Sequence, residues 1–154
     1  MKNIIAISDT HNRLPSSAEF WEILENADYI FHLGDGIRDI EKLKFAYPDK
    51  LVYVYGNCDH MSREEERTVE IEGVKFFLAH GHRYRAKSSD LDLQMKSIEE
   101  GAKCCVYGHA HTPQIEKYGD LTVINPGSLT YSGTYCYMSV KDGKVLAKIV
   151  NRTF

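Results

Sequence analysis

Long hydrophobic runs are missing from this chain. The apolar stretch near its N-terminus, Ile4-Ile5-Ala6-Ile7, gives way at once to Ser8-Asp9. It is too short for the core of a secretory signal and far short of the roughly 20 residues that cross a bilayer. A cytoplasmic location and no membrane partner are expected. Cysteine is scarce: Cys58, Cys104, Cys105 and Cys136 show no Cys-x-x-Cys spacing, which argues against a disulfide framework and against a thiolate zinc site. Positive charge is not in excess, since 19 Lys and Arg against 22 Asp and Glu leave a formal net charge of −3. No global basic field draws the chain to long nucleic acid or to anionic lipid. Linkers, repeats and low-complexity segments are also lacking, so a single domain over residues 1–154 is expected, long enough to bury about two thirds of its unfolded surface.

What the chain does contain is a series of short apolar runs that stop at polar residues. Residues 3–8 are nearly continuously apolar, as in a strand covered on both faces, and break off into Asp9-Thr10-His11. Phe20, Ile23, Leu24 and Ala27 follow at helical spacing behind Pro15-Ser16-Ser17, predicting a helix over about 16–26. Tyr29–Leu33 reads as a strand that ends in Gly34-Asp35-Gly36, residues 37–46 as a helix, and Leu51–Tyr55 as a strand that ends in Gly56-Asn57-Cys58-Asp59. Alternating strands and helices imply a parallel sheet with right-handed crossovers, which puts these three strand ends along one edge. In such sheets ligands collect outside the carboxyl ends of the strands.

Beyond residue 67 tight turns take over. Thr68–Ile71 and Val74–Ala79 read as a hairpin about Glu72-Gly73, and its second strand runs into His80-Gly81-His82. Residues 88–100 are expected to form a helix capped by Ser88 or Ser89, with Leu91, Leu93, Met95 and Ile98 turned inward. Lys103–Tyr107 then stops at Gly108-His109-Ala110-His111, where alternate positions of an extended chain put two imidazoles on one side. The remaining strands, 115–118, 122–124, 135–140 and 145–150, are expected to form an antiparallel tail. The segment 63–67 reads as a solvated connection, and residues 82–87 as a locally basic loop that could screen an anionic ligand. Each of Asp9, His11, Asp35, Asn57, His80, His109 and His111 is unremarkable alone. Together they bring carboxylate, amide and imidazole donors from five segments to strand ends, a set without thiolate that suits manganese, iron, zinc, cobalt or nickel.

Taken in order, Asp9-Thr10-His11, Gly34-Asp35, Gly56-Asn57-x-Asp59, His80-Gly81-His82 and Gly108-His109-Ala110-His111 resemble the motifs of the calcineurin-like metallophosphoesterases. With Asn125-Pro126-Gly127-Ser128 near the end and no inserted domain, the chain is most similar to the small bacterial and archaeal phosphodiesterase branch. The resemblance implies an α/β fold, a four-layer α/β/β/α sandwich of two mixed β-sheets flanked by helices. It assigns Asp9, His11 and His111 to one divalent metal, Asn57, His80 and His109 to a second, and Asp35 to both, manganese being the first expectation. Two divalent ions less two carboxylates and a bridging hydroxide leave about +1, a site for a phosphate anion that the hydroxide would attack. The implied ligand is a small phosphodiester, and a homodimer is compatible with the resemblance.

Asp35, Asn57, Cys58 and His82 are the expected catalytic positions, and Asp59 is expected to orient ligands. Cys58 departs from the family, many members of which have a histidine there to protonate the leaving group. A thiol beside cations is expected to ionise and to be a poor acid, which favours substrates with good leaving groups such as aryl diesters. Asn125 or Ser128 is expected to reach a ligand. Rival functions are a phosphoesterase-fold scaffold such as the retromer subunit, a phosphomonoesterase, and a nuclease, the last opposed by the charge of −3. The metallo-β-lactamase fold expects an Asp-His pair soon after His-x-His, where this chain has Thr112-Pro113.

Overall fold

A computed structural model describes residues 1–60 and 63–154. The apolar runs become strands that split between two five-stranded sheets. The first sheet contains β1 (Lys2–Ile7), β2 (Tyr29–His32), β3 (Leu51–Tyr53), β9 (Thr134–Lys141) and β10 (Lys144–Asn151), in the order β10-β9-β1-β2-β3. The second contains β4 (Glu66–Ile71), β5 (Val74–Ala79), β6 (Cys104–Tyr107), β7 (Gln114–Tyr118) and β8 (Leu121–Asn125), in the order β4-β5-β6-β8-β7. Each sheet is mixed: β1, β2 and β3 are parallel, as are β5, β6 and β8, and antiparallel strands flank both trios.

Alternation along each strand builds the layers. Ile4 and Ala6 of β1, Phe31 of β2, Phe76 and Leu78 of β5, and Cys104 and Val106 of β6 fill the core between the sheets. The opposite faces take the helices. Ile5, Ile7 and Ile30 meet Phe20 and Leu24 of α1 (Ala18–Asn26) and Leu43 of α2 (Ile37–Ala46). Ser17 caps α1, its hydroxyl accepting the Phe20 N–H at 3.3 Å. On the second sheet Phe77, Cys105 and Val123 meet Leu93 of α3 (Leu91–Glu99). The result is the four-layer α/β/β/α sandwich.

Three expectations give way. The tail is not one antiparallel unit: β7 and β8 form a hairpin that joins the second sheet with β8 parallel to β6, whereas β9 and β10 complete the first. In α3, Leu93 and Ser97 face the sheet, and Leu91, Met95 and Ile98 are 55%, 62% and 65% exposed. Both sets have helical spacing, so periodicity could not choose between the two stripes. The helix begins behind Asp90, not Ser88 or Ser89. Segment 63–67 is more than a solvated connection, because Glu66 and Arg67 start β4 and Glu65 takes part in ion pairs. All four cysteines are free, with Cys104, Cys105 and Cys136 buried. Among the described residues no helix is long and apolar enough to cross a membrane.

Candidate metal centre

The carboxyl ends of β1, β2, β3, β5 and β6 deliver the polar residues to one place. Asp9, His11 and His111 form one group, Asp35, His80 and His109 another, and His11, Asp35 and Cys58 a third that overlaps both; in each the ligating atoms lie within 4.8 Å of one another. The turn that makes this convergence is a local backbone feature. Asp9, His11, Asp35, His109 and His111 all adopt left-handed φ, at 52°, 50°, 63°, 65° and 60°. Such a conformation costs a residue with a Cβ on the order of 1 kcal/mol, and it persists because neighbouring loops lock it. The Asp9 N–H donates to Gly34 O at 2.9 Å, His11 N–H to Asp35 O at 2.8 Å and Gly108 N–H to His80 O at 3.0 Å. The carboxylates lie directly against glycine backbone: a Cβ on Gly56 would fall 2.2 Å from Asp35 Oδ1, and one on Gly108 2.6 Å from Asp9 Oδ2.

Asp9 is fully buried. Its Oδ2 accepts the Ser8 hydroxyl and the His109 N–H, the latter at 3.1 Å, and its Oδ1 lies 3.1 Å from His111 Nε2. Burial works against its ionisation, but the His111 and Ser8 hydrogen bonds and the charge of His80 outweigh it, so the carboxyl titrates below its ordinary range. Asp35 is likewise opposed by burial and likewise driven well below that range, by His80 and by the Cys58 N–H at 2.9 Å. Both carboxylates are therefore anionic although buried.

The imidazoles aim ring nitrogens at the carboxylates: burial opposes a proton on His80 but Asp35 and Asp9 raise its affinity for one, as Asp9 does for His111, so a metal ion would displace protons there. His80 Nδ1–H donates to Leu33 O at 2.7 Å, which leaves Nε2 facing Asp35 Oδ2 at 3.3 Å and Asp9 Oδ1 at 3.9 Å. His11 Nε2 stands 4.0 Å from Asp9 Oδ1. Both Nε2 atoms are buried and neither makes a hydrogen bond. Burial and the nearby His80 push His109 down to about 4, which keeps its ring neutral at neutral pH. Buried nitrogens without partners, aimed at carboxylate oxygens, are costly unless a cation occupies the space between them. The donor set and these orphaned atoms fit divalent metal ions.

The other candidates fall into different places. Asn57 opens the short 3-10 turn Asn57–Asp59, is exposed, and points its amide Nδ2 at Cys58 Sγ, 3.7 Å away. Cys58 is exposed at the rim; partial desolvation of its sulfur and the Asp35 charge push the thiol up, whereas the ionisation expected from the sequence belongs to a metal-loaded site. Asp59 is buried and braces two loops at once, accepting the N–H groups of Asp35 at 2.9 Å, Gly36 at 2.8 Å and Gly56 at 2.8 Å. His82 lies beside His80 and His109, ring centroids 5.4 and 6.2 Å apart, and its Nε2 is 2.8 Å from Glu65 Oε2. Burial and His80 lower its affinity for a proton despite Glu65.

Asn125 and Ser128 are not turned to a ligand. Both are fully buried, Asn125 Nδ2 donating to Gly108 O at 3.2 Å and Ser128 Oγ to Asp9 O at 2.8 Å, so they brace the loops that carry Asp9 and His109. Sequence reasoning missed Glu65, Ser8 and Tyr131. The Tyr131 ring stacks on His111 at 5.6 Å and lies 5.1 Å from His11. Only the serine, next to the aspartate in sequence, left any local signal.

His32 was missed as well and belongs to the frame of the site. It accepts the Gly34 N–H at Nδ1 (3.1 Å), so its Nε2–H donates to Thr10 Oγ1 (2.9 Å), and both nitrogens are used. Complete burial lowers its pKa from an ordinary value near 6.5 to about 4. The folded state therefore holds it neutral: the stability it contributes is fully present above pH about 6.5 and is lost as pH falls toward about 4, on the order of 3 kcal/mol in all. Denaturant unfolding in chelator at pH 7 and pH 4.5 should show this loss. The His32→Gln variant, which keeps a donor for Thr10 but cannot titrate, should be less stable at pH 7 and lose distinctly less on acidification. Equal losses in the two proteins would assign the acid sensitivity elsewhere.

Residues 1–143 match the family model described as a calcineurin-like phosphoesterase superfamily domain. A phosphodiesterase of Methanocaldococcus jannaschii is 32% identical over 143 residues, which span 79% of this chain and 80% of that protein. The crystal structure of a predicted phosphoesterase from Streptococcus pneumoniae superposes with a TM-score of 0.76 at 26% identity, covering 97% of this chain and 89% of that one. Zinc-bound Vps29 from Entamoeba histolytica superposes with a TM-score of 0.75 at 18% identity, covering 96% and 98% of the two chains, a likeness of fold alone.

Proposed function

Because the chain belongs to the calcineurin-like phosphoesterase superfamily, we propose that it is a metal-dependent phosphodiesterase whose centre holds two divalent ions. Asp9, His11 and His111 would hold one ion, Asn57, His80 and His109 the other, and Asp35 would be shared. The observation that carries this proposal is the pair of buried, unpartnered Nε2 atoms of His11 and His80, each within about 4 Å of a carboxylate oxygen. Manganese is the first candidate, with iron, nickel, cobalt and zinc suited to the same nitrogen and oxygen donors. Such ions supply hydroxide at neutral pH and neutralise phosphate charge.

The chain's own residues prepare the site. Asp9 and Asp35 stay ionised under the hydrogen bonds already described, and Asp59 fixes the loops of Asp35 and Asn57. His82 donates its Nε2–H to Glu65, which leaves Nδ1 of the neutral ring as an acceptor, so its part is to hold the loop beside His80 and His109. Asn57 needs a side-chain rotation away from Cys58 to act as a ligand. The converging donor set favours catalysis over a purely scaffolding role, and diester over monoester follows the phosphodiesterase relative.

Metal-stripped protein should hydrolyse bis-p-nitrophenyl phosphate only after manganese or another transition ion is restored, and should prefer it to p-nitrophenyl phosphate. With no histidine at position 58 to protonate the leaving group, aryl diesters should turn over about 100-fold faster than alkyl diesters, the usual size of a general-acid contribution. Undiminished turnover in chelator would refute metal dependence; equal aryl and alkyl rates would show that another group supplies the proton.

A further inference from the structure

A cavity of about 360 Å³ opens beside the metal centre, lined by Lys87, Ser88, Tyr107, Thr112, Gln114 and Tyr118. Its wall also includes Ala110, which lies between His109 and His111, so cavity and centre share one loop. The basic segment 82–87 ends in this wall, and its cations are not equivalent. Arg83 is paired with Glu65, Arg85 Nη2 is 2.9 Å from Asp92 Oδ2, and His82 Nε2 is 2.8 Å from Glu65. Lys87 is exposed and forms no salt bridge among the described residues. The acid in the lining does not claim it. Asp90 accepts hydrogen bonds from Gln94 at 2.7 Å, Gln114 at 3.1 Å and Tyr118 at 3.0 Å, which commit its oxygens.

We propose that this cavity binds the part of the substrate beyond the scissile phosphorus, and that Lys87 selects phosphodiesters carrying a second phosphate group. The proposal rests on the phosphodiesterase function proposed above. A cation at the lip of a partly enclosed cavity attracts a second phosphate, the tyrosine rings offer apolar surface to what joins the two phosphates, and the Ser88 hydroxyl can donate to it, whereas that of Thr112 already donates to Ala110 O at 3.3 Å.

The test compares two chromogenic diesters that differ by one group, thymidine 5′-p-nitrophenyl phosphate and its 3′-phosphorylated form. Wild type should prefer the phosphorylated substrate by about fivefold to tenfold in kcat/KM, mostly through KM, and the preference should shrink as salt rises. Lys87→Ala should erase it and Lys87→Arg retain it, each read as the ratio of kcat/KM for the two diesters so that a rate change common to both cancels. Calorimetric binding of thymidine 3′,5′-bisphosphate against thymidine 5′-monophosphate gives the same comparison without turnover. Absent hydrolysis with the binding preference intact would overturn the phosphodiesterase function and leave the subsite standing. No preference in wild type, or the same preference in Lys87→Ala, would overturn the subsite.

Discussion

Asp35→Asn is expected to lower manganese-supported hydrolysis of bis-p-nitrophenyl phosphate by about a thousandfold or more, equivalent to roughly 4 kcal/mol of barrier. Asp35 shares one group of ligating atoms with His11 and Cys58 and another with His80 and His109, so the change would remove one negative charge from the proposed centre. The fold should tolerate it, because the asparagine oxygen can still accept the Cys58 N–H that Asp35 Oδ1 accepts at 2.9 Å. A thermal melt separates the two effects. Metal at about 100 times its dissociation constant should stabilise wild type by about 2.7 kcal/mol, and the variant should gain far less from the same addition. Activity within tenfold of wild type, with metal stabilisation preserved, would remove Asp35 from the centre.

Asp59→Ala should give the second large effect, this one on stability. The carboxylate takes three buried N–H groups from two loops, and an orphaned buried donor costs about 1–3 kcal/mol. A loss of about 4 kcal/mol is expected, read in chelator as a lower urea midpoint with an unchanged slope. Asp59→Asn should fall between, since one oxygen remains to accept. Hydrolysis should fall in both variants because Asp35 and Gly36 take their positions from this carboxylate. A loss below about 1 kcal/mol for the alanine variant would show that water or a loop shift replaces the brace.

Much of the architecture was legible because burial on two faces writes itself as continuous apolar runs. Residues 3–8, Tyr29–Leu33 and Val74–Ala79 are runs of this kind, and β1, β2 and β5 lie within or on them to within a few residues. Runs that stop at polar residues, behind a glycine for Asp35 and Asn57, placed Asp9, Asp35, Asn57 and His80 at strand ends. Where two faces of one helix are both plausible the pattern fails, as in α3, and a hairpin's sheet cannot be read from the hairpin, as in β7 and β8.

By itself the sequence determined which side chains are available at the strand ends and that they are nitrogen and oxygen donors, because residue type and short spacing are local properties. Tertiary structure alone decided how they are held. The Asp9 and His111 side chains meet across 102 positions, the Asp59 carboxylate reaches loops more than 20 residues away, and Glu65 occupies His82 across 17 positions of chain. The left-handed backbone at Asp9, His11, Asp35, His109 and His111 runs against the local preference of each residue. It exists because hydrogen bonds from distant segments outweigh that preference, and such bonds have no local signature in a sequence.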